Sequence, residues 1–335
     1  MQKLVRRLLF VLLIVAALAA MLGGAAAWWL GQPLRMASTS LELEIEPGTS
    51  PRGVAQAVVN AGVQTDARLL YYWFRLSKQD RLIRAGNYEL QAGLTPRTLL
   101  QKLVRGEESL RAITLVEGWT FRQMRAHIAK DEFLKHDTQH MTEAELMAAL
   151  GKPGMAAEGM FFPDTYTYAK GSSEMAVLRR AMHAMQRRLD EAWALRAVDT
   201  PLKSPYEALI LASIVEKETG RASDRGQIAG VFINRLRVGM RLQTDPTVIY
   251  GLGEAFDGNL RRRDLQTDTP WNTYTRAGLP PTPIAMPGKQ SLLAAVQPQA
   301  TKAFYFVARG DGSSHFSATL DEHNRAVNRY QRGGN

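Results

Sequence analysis

Cysteine is absent from all 335 residues, which excludes disulfide staples, zinc–thiolate centres and thiol redox chemistry. The fold must therefore close on apolar burial alone, and a chain of this length can do so. Histidine is sparse as well. Its six copies include no HExxH motif, and His315 and His323 do not suggest a ligand pair. No Gly-x-Ser-x-Gly elbow, phosphate loop or dinucleotide fingerprint is present. Ser213 and Lys217 stand four residues apart, not the three of a Ser-x-x-Lys motif, so a serine–lysine acyl-enzyme is not expected. Neither a metal site nor a cofactor is expected.

Charge is also missing where it matters most. Leu8 to Gly31 carries none and ends in Trp28-Trp29, with Lys3, Arg6 and Arg7 before it. At 1.5 Å per residue the run spans roughly 36 Å, enough for a bilayer core of about 30 Å with tilt. Basic residues ahead of the span place residues 1–7 in the cytoplasm, and the tryptophans suit the far interface. Residues 8–31 are thus expected to be an uncleaved single-pass anchor with the rest of the chain outside. A cleaved signal peptide ending near Gly24-Ala-Ala-Ala27 is the alternative. The formal charge of +10 fits an anionic setting such as phospholipid headgroups or an acidic polymer. Behind an export signal, nucleic acid is not the expected partner.

Three stretches share one pattern: Ile45-Glu-Pro-Gly-Thr-Ser50-Pro-Arg52, Leu90-Gln-Ala-Gly-Leu-Thr95-Pro-Arg97 and Leu115-Val-Glu-Gly-Trp-Thr120-Phe-Arg122. Each is a short strand, a glycine turn and a Ser or Thr helix cap. Their uneven spacing argues against a solenoid. Residues 40–108 are expected to form a small α+β subdomain, with strands near Leu41–Glu46 and Asn87–Leu90. Such modules resemble LysM-like subdomains, which bind glycan; packing or spacing alone is the competing role.

Residues 113–331 read as a larger α+β domain. Helices are expected at Phe121–Lys130, Glu143–Leu150, Ser173–Trp193, Pro205–Thr219 and Arg225–Arg237. Thr244–Tyr250 and the glycine-bearing stretch after it read as turns. Residues 277–288 hold four prolines and predict a stiff loop, which could wall a groove. A hairpin is expected around Gly310-Asp-Gly312, then a helix capped at Thr319.

One acid is out of place. In the helix opened by Ser204-Pro205, Leu211, Ile214 and Val215 share a face, and Glu218 falls in its middle while Glu216 points to the polar side. A carboxyl pressed against apolar neighbours gains pKa and can donate a proton near neutrality. A buried structural Glu, or a helix end turned to solvent, is the plainer reading. Asn234, Gln243, Thr244, Asp245, Tyr250, Asn272 and Tyr274 follow. Amides, hydroxyls and tyrosine rings are the lining a sugar groove needs, although each has an ordinary structural use.

Taken together, Ala212-Ser-Ile-Val-Glu-Lys-Glu218-Thr, Val231-Phe-Ile-Asn-Arg-Leu236, Met240-Arg-Leu-Gln-Thr-Asp-Pro-Thr-Val-Ile-Tyr250-Gly, Asn272-Thr-Tyr274 and Gly278-Leu-Pro-Pro281 resemble the YceG family of endolytic murein transglycosylases. So does Glu158-Gly-Met-Phe-Phe-Pro163-Asp-Thr, and the likeness covers nearly the whole chain. The resemblance implies an inner-membrane anchor, a LysM-like subdomain and a periplasmic catalytic domain whose catalytic glutamate is Glu218. It implies cleavage of the β-1,4 bond between N-acetylmuramic acid and N-acetylglucosamine with 1,6-anhydro ends. A role in terminating new strands beside bifunctional penicillin-binding synthases also follows. The alternatives are a muramidase-type hydrolase using Glu218 and Asp245, or a wall-binding scaffold without catalysis.

Overall fold

A computed structural model of the chain describes residues 2–107 and 109–333. The chain divides into two units, Met1–Arg111 with Ala169–Gly171, and Ala112–Tyr168 with Ser172–Asn335.

The first unit opens with α1 (Gln2–Gly31), of which Leu9–Gly31 has a mean hydropathy of 2.6 and is long and apolar enough to cross a membrane. Then come β1 (Arg35–Met36), β2 (Ser40–Ile45), α2 (Pro51–Asn60), β3 (Val63–Gln64), α3 (Ala67–Leu76), β4 (Gly86–Gln91) and α4 (Pro96–Arg105). Strands β2 and β4 pair antiparallel, with Leu43 opposite Tyr88 and Leu41 opposite Leu90. Alternation sends Leu43 and Ile45 inward and leaves Glu42 and Glu44 outside. The helices start where the caps lie. Ser50 accepts from the Gly53 amide, Thr95 and Thr98 cap reciprocally, and each cap precedes a proline in the first turn. Val54, Val58, Leu70, Phe74, Leu99 and Leu103 meet Tyr88 and Leu90 in one core.

The second unit starts from the third strand–turn–helix copy. Strand β5 (Leu110–Thr114) pairs with β6 (Thr165–Ala169), and Gly118 turns the chain at φ +77° into the Thr120 cap of α5 (Phe121–Ile128). Helices α6 (Glu143–Ala149), α7 (Glu174–Ala194), α8 (Pro205–Glu218), α9 (Ala222–Arg237), α10 (Asp245–Leu252), α11 (Arg262–Gln266) and α12 (Lys289–Val296) follow. The antiparallel hairpin of β7 (Tyr305–Ala308) and β8 (Ser314–Ser317) precedes α13 (Leu320–Tyr330). The architecture is α+β, as the sequence predicts.

Helix α8 is the spine of this unit. Every residue from Ala208 to Val215 is buried, with α7, α9, α10 and α12 packed around it. The projection of one apolar face is therefore too narrow: the helix is covered on all sides until its last turn. There Glu216 departs from the expectation that it faces solvent. It is part-buried and accepts from the Gly288 amide at 3.0 Å, ahead of α12. Thr244–Tyr250 also departs from its reading as turns. Pro246 in the first turn and the buried Thr247 and Val248 give a helix, which Gly253 ends at φ +56°. The proline-rich loop packs on α8 and does not line the cleft beside Glu218, although its Ile284 lines a neighbouring cavity. The Ile284 amide donates to Ser213 Oγ at 3.0 Å, and residues 283–288 are buried.

Candidate functional site

Glu218 is the last residue of α8, and the chain turns extended at Thr219. A cleft of about 550 Å³ opens beside it. Gln243, Thr244 and Asp245, where the chain enters α10, line one part, Tyr274 another, and Tyr305 and Phe306 of β7 the far side. The residue keeps some contact with solvent, while protein crowds its carboxyl group. That desolvation pushes its pKa up to about 7. The Asp245 charge adds to the rise; the Thr244 hydroxyl, which donates to Glu218 Oε1, and the Arg235 cation oppose it.

The local backbone explains how these groups meet. Gln243 sits at φ +48°, a left-handed conformation costly for a side chain, with its amide bonded to the Thr273 carbonyl at 3.2 Å. The Thr244 amide donates to Thr273 Oγ1 at 3.1 Å, and Thr247 Oγ1 closes the cluster with Thr273 at 2.9 Å. Held this way, Thr244 aims its hydroxyl at the glutamate rather than capping α10. Tyr274 donates its hydroxyl to Asp245 at 2.6 Å, and burial beside that carboxylate raises the phenol's own pKa.

Not every expected residue reaches this cleft. Asn234 fastens α9 to the segment before β7, donating to the carbonyls of Thr301 and Ala303 at 2.9 and 3.0 Å. Asn272 is fully buried and donates to the carbonyls of Asp264, Leu265 and Thr267, shaping the loop that carries Tyr274. Tyr250 lies against Trp271, ring centroids 5.5 Å apart, and lines a different cavity. Ser213 and Lys217 do not pair: the hydroxyl bonds Ile210 and Ile284, and the amine donates to the Gly118 carbonyl at 3.2 Å.

Arg235 is a member that sequence reasoning missed. It lies buried on the cleft wall and donates to the carbonyls of Phe304, Arg241 and Leu242, with its guanidinium over the Tyr305 ring at 5.2 Å. Its signal was a lone cation inside Val231-Phe-Ile-Asn-Arg-Leu236. The hairpin rings and His323 were not readable, because only the tertiary fold brings them to the cleft. A single acid that can carry a proton near neutrality, flanked by hydroxyl, carboxylate and guanidinium groups, is suited to protonating a leaving oxygen and then taking a proton back.

The chain is similar to several known proteins. The profile of the YceG-like family matches residues 43–329. An endolytic murein transglycosylase of Bacillus subtilis is 30% identical over 88% of this chain and 86% of its own length. One from Streptococcus pneumoniae is 25% identical over 84% of this chain and 57% of its own. The crystal structure of a YceG-like protein from Listeria monocytogenes superposes with a TM-score of 0.56 at 29% identity, covering 85% of this chain and 98% of that one. From β2 to the last turns of α13, the chain belongs to the YceG-like family.

Proposed function

We propose that the protein is a peptidoglycan lytic transglycosylase that cuts within glycan strands, at the β-1,4 bond between N-acetylmuramic acid and N-acetylglucosamine. The observation that carries this reading is the Glu218 carboxyl, held at about 7 by burial at the edge of an open cleft. Protonated, it gives its proton to the glycosidic oxygen as the bond from the muramic C1 breaks. The resulting carboxylate takes the proton of that sugar's C6 hydroxyl, whose oxygen closes on C1. One proton leaves Glu218 and one returns, and the product is a 1,6-anhydro end. No second carboxylate is required. Arg235 favours the ionised intermediate state of the acid, because its charge opposes the rise in pKa.

A hydrolase is the second reading, since Asp245 lines the same cleft and paired carboxylates are what water-using glycosidases need. Mass spectrometry of digested intact strands separates the two: 1,6-anhydromuramic ends support the lyase, and reducing ends would overturn it. Glu218→Gln should still bind glycan and lose about 10²–10⁴ in rate, the usual share of general acid–base catalysis.

Location completes the proposal. Helix α1 serves as a single-pass inner-membrane anchor, with the basic N-terminus cytoplasmic and the units after it periplasmic. The first unit takes a LysM-like, glycan-gripping role. Cutting near the membrane then ends strands as synthases of the bifunctional penicillin-binding class extend them. The activity for which the relatives are named and the apolar stretch of α1 support this reading.

A further inference from the structure

A second cavity, of about 700 Å³, lies in the same unit and is larger than the Glu218 cleft. The two share a dividing ridge. Lys217 lines one and Glu218 the other; Pro246 lines one and Asp245 the other. The ridge is thus the end of α8 against the start of α10.

The walls of this cavity are unusually specific for a space with no assigned use. Phe121, Tyr250, Phe256 and Trp271 supply flat apolar surface. Trp271 is pinned by its indole N–H, which donates to Thr282 Oγ1 at 2.9 Å. At the base lies Glu158, only 5% exposed. Both its oxygens accept from the Phe121 amide, at 3.0 and 3.2 Å, and the Tyr250 hydroxyl bonds it too. That amide bond steadies the start of α5. It does not account for the open, ring-lined volume alongside.

The chemistry narrows the occupant. Glu143 and Glu158 disfavour an anion, while Lys217 and Arg122 disfavour a cation. Rings that stack on pyranose faces, beside carboxyls and the Gln123 amide that bond hydroxyls, suit a neutral polyhydroxylated ligand. Burial pushes Glu158 up to about 7, so at neutral pH it can both donate to and accept from hydroxyls.

We propose that the Glu158 cavity is a second saccharide site, holding pyranose units of the same strand whose reacting bond lies at Glu218, across the α8–α10 ridge. This rests on the transglycosylase reading for the identity of the strand, and it supplies the extended grip that cutting inside a strand requires.

The test uses the full chain in detergent, as Glu218→Gln, titrated with N-acetylglucosamine oligomers of two, four and eight sugars by calorimetry. Affinity should climb with length, and Phe256→Ala should weaken eight-sugar binding by about tenfold, which is roughly 1.4 kcal/mol. Phe256 is part-exposed, which keeps the substitution tolerable. Tyr250→Phe and Glu158→Gln, which keep shape, should weaken the same oligomer. Affinities within twofold of the parent for all three variants would overturn the site, as would a parent that binds no oligomer. The two readings fail separately. Wild-type protein that makes anhydro ends while the variants bind unchanged removes only the second site. Reducing ends combined with weakened variant binding remove only the lyase.

Discussion

Two neighbours of Glu218 pull its proton affinity in opposite directions, and that opposition can be measured. Thr244 donates to the carboxyl and lowers its pKa, whereas Asp245 raises it. Because the acid must be protonated to act, activity should fall as pH rises through about 7. Thr244→Val removes the hydroxyl and keeps the shape, so the alkaline limb should move up by about half to one pH unit, as expected for one hydrogen bond of about 1 kcal/mol. Asp245→Asn removes a negative charge and should move it down, with the turnover below pH 6 largely kept. The pH–rate profiles of both variants check this. Equal displacement in the same direction would mean that the limb belongs to another group. Collapse of Asp245→Asn activity at every pH would instead favour the hydrolase, since a nucleophile or base would have been lost.

At the scale of elements, the cleft depends on how closely α9 approaches the chain before β7. A Cβ added at Gly230 would lie 2.5 Å from the Gln299 carbonyl oxygen and 2.8 Å from Thr301 Cγ2. Gly230→Ala must therefore lift α9 off this segment, the same one that Asn234 fastens. A loss of about 1–3 kcal/mol in denaturant unfolding is expected from such overpacking, with reduced turnover because Arg235 rides on the displaced helix. An unfolding midpoint equal to wild type would refute that coupling. This approach was invisible in the sequence, because the segment that meets Gly230 lies far along the chain. What was legible had local causes: the caps at Ser50, Thr95, Thr120 and Ser204, the β2–β4 alternation, and an acid in an apolar helix. Local pattern failed where tertiary burial decided the outcome. Thr247 and Val248 turn a stretch of turn-like residues into α10, and α8 is enclosed on all sides, so Glu216 finds a partner instead of solvent. Among the proposed sugar ligands, Gln243, Thr244, Asp245 and Tyr274 share Glu218's cleft, while the amides of Asn234 and Asn272 are spent on backbone carbonyls.

For the molecule as a whole, the two glutamates that carry the proposed chemistry work against stability. Glu158 and Glu218 are each pushed from 4.5 up to about 7, desolvation being the larger cause in both. A carboxyl that holds its proton more tightly when folded favours the fold below the unfolded pKa near 4.5. That advantage disappears as pH rises through the folded value near 7. Above neutrality, the native protein must hold two poorly solvated charges. Glutamine keeps the shape and the acceptor oxygen without the charge, so the double variant Glu158→Gln, Glu218→Gln should melt several degrees above wild type at pH 8. In a unit of this size about 1 kcal/mol corresponds to roughly 2–4 °C. At about pH 3.5, below the unfolded value, both carboxyls are protonated in the folded and the unfolded chain, and the difference should nearly vanish. Comparing the two proteins at each pH cancels His323, whose lowered pKa has the opposite slope and is common to both. Melting by calorimetry at the two pH values decides the matter: a difference that does not change with pH would mean that neither carboxyl is held neutral by its surroundings, and the proton proposed for catalysis would then have no source.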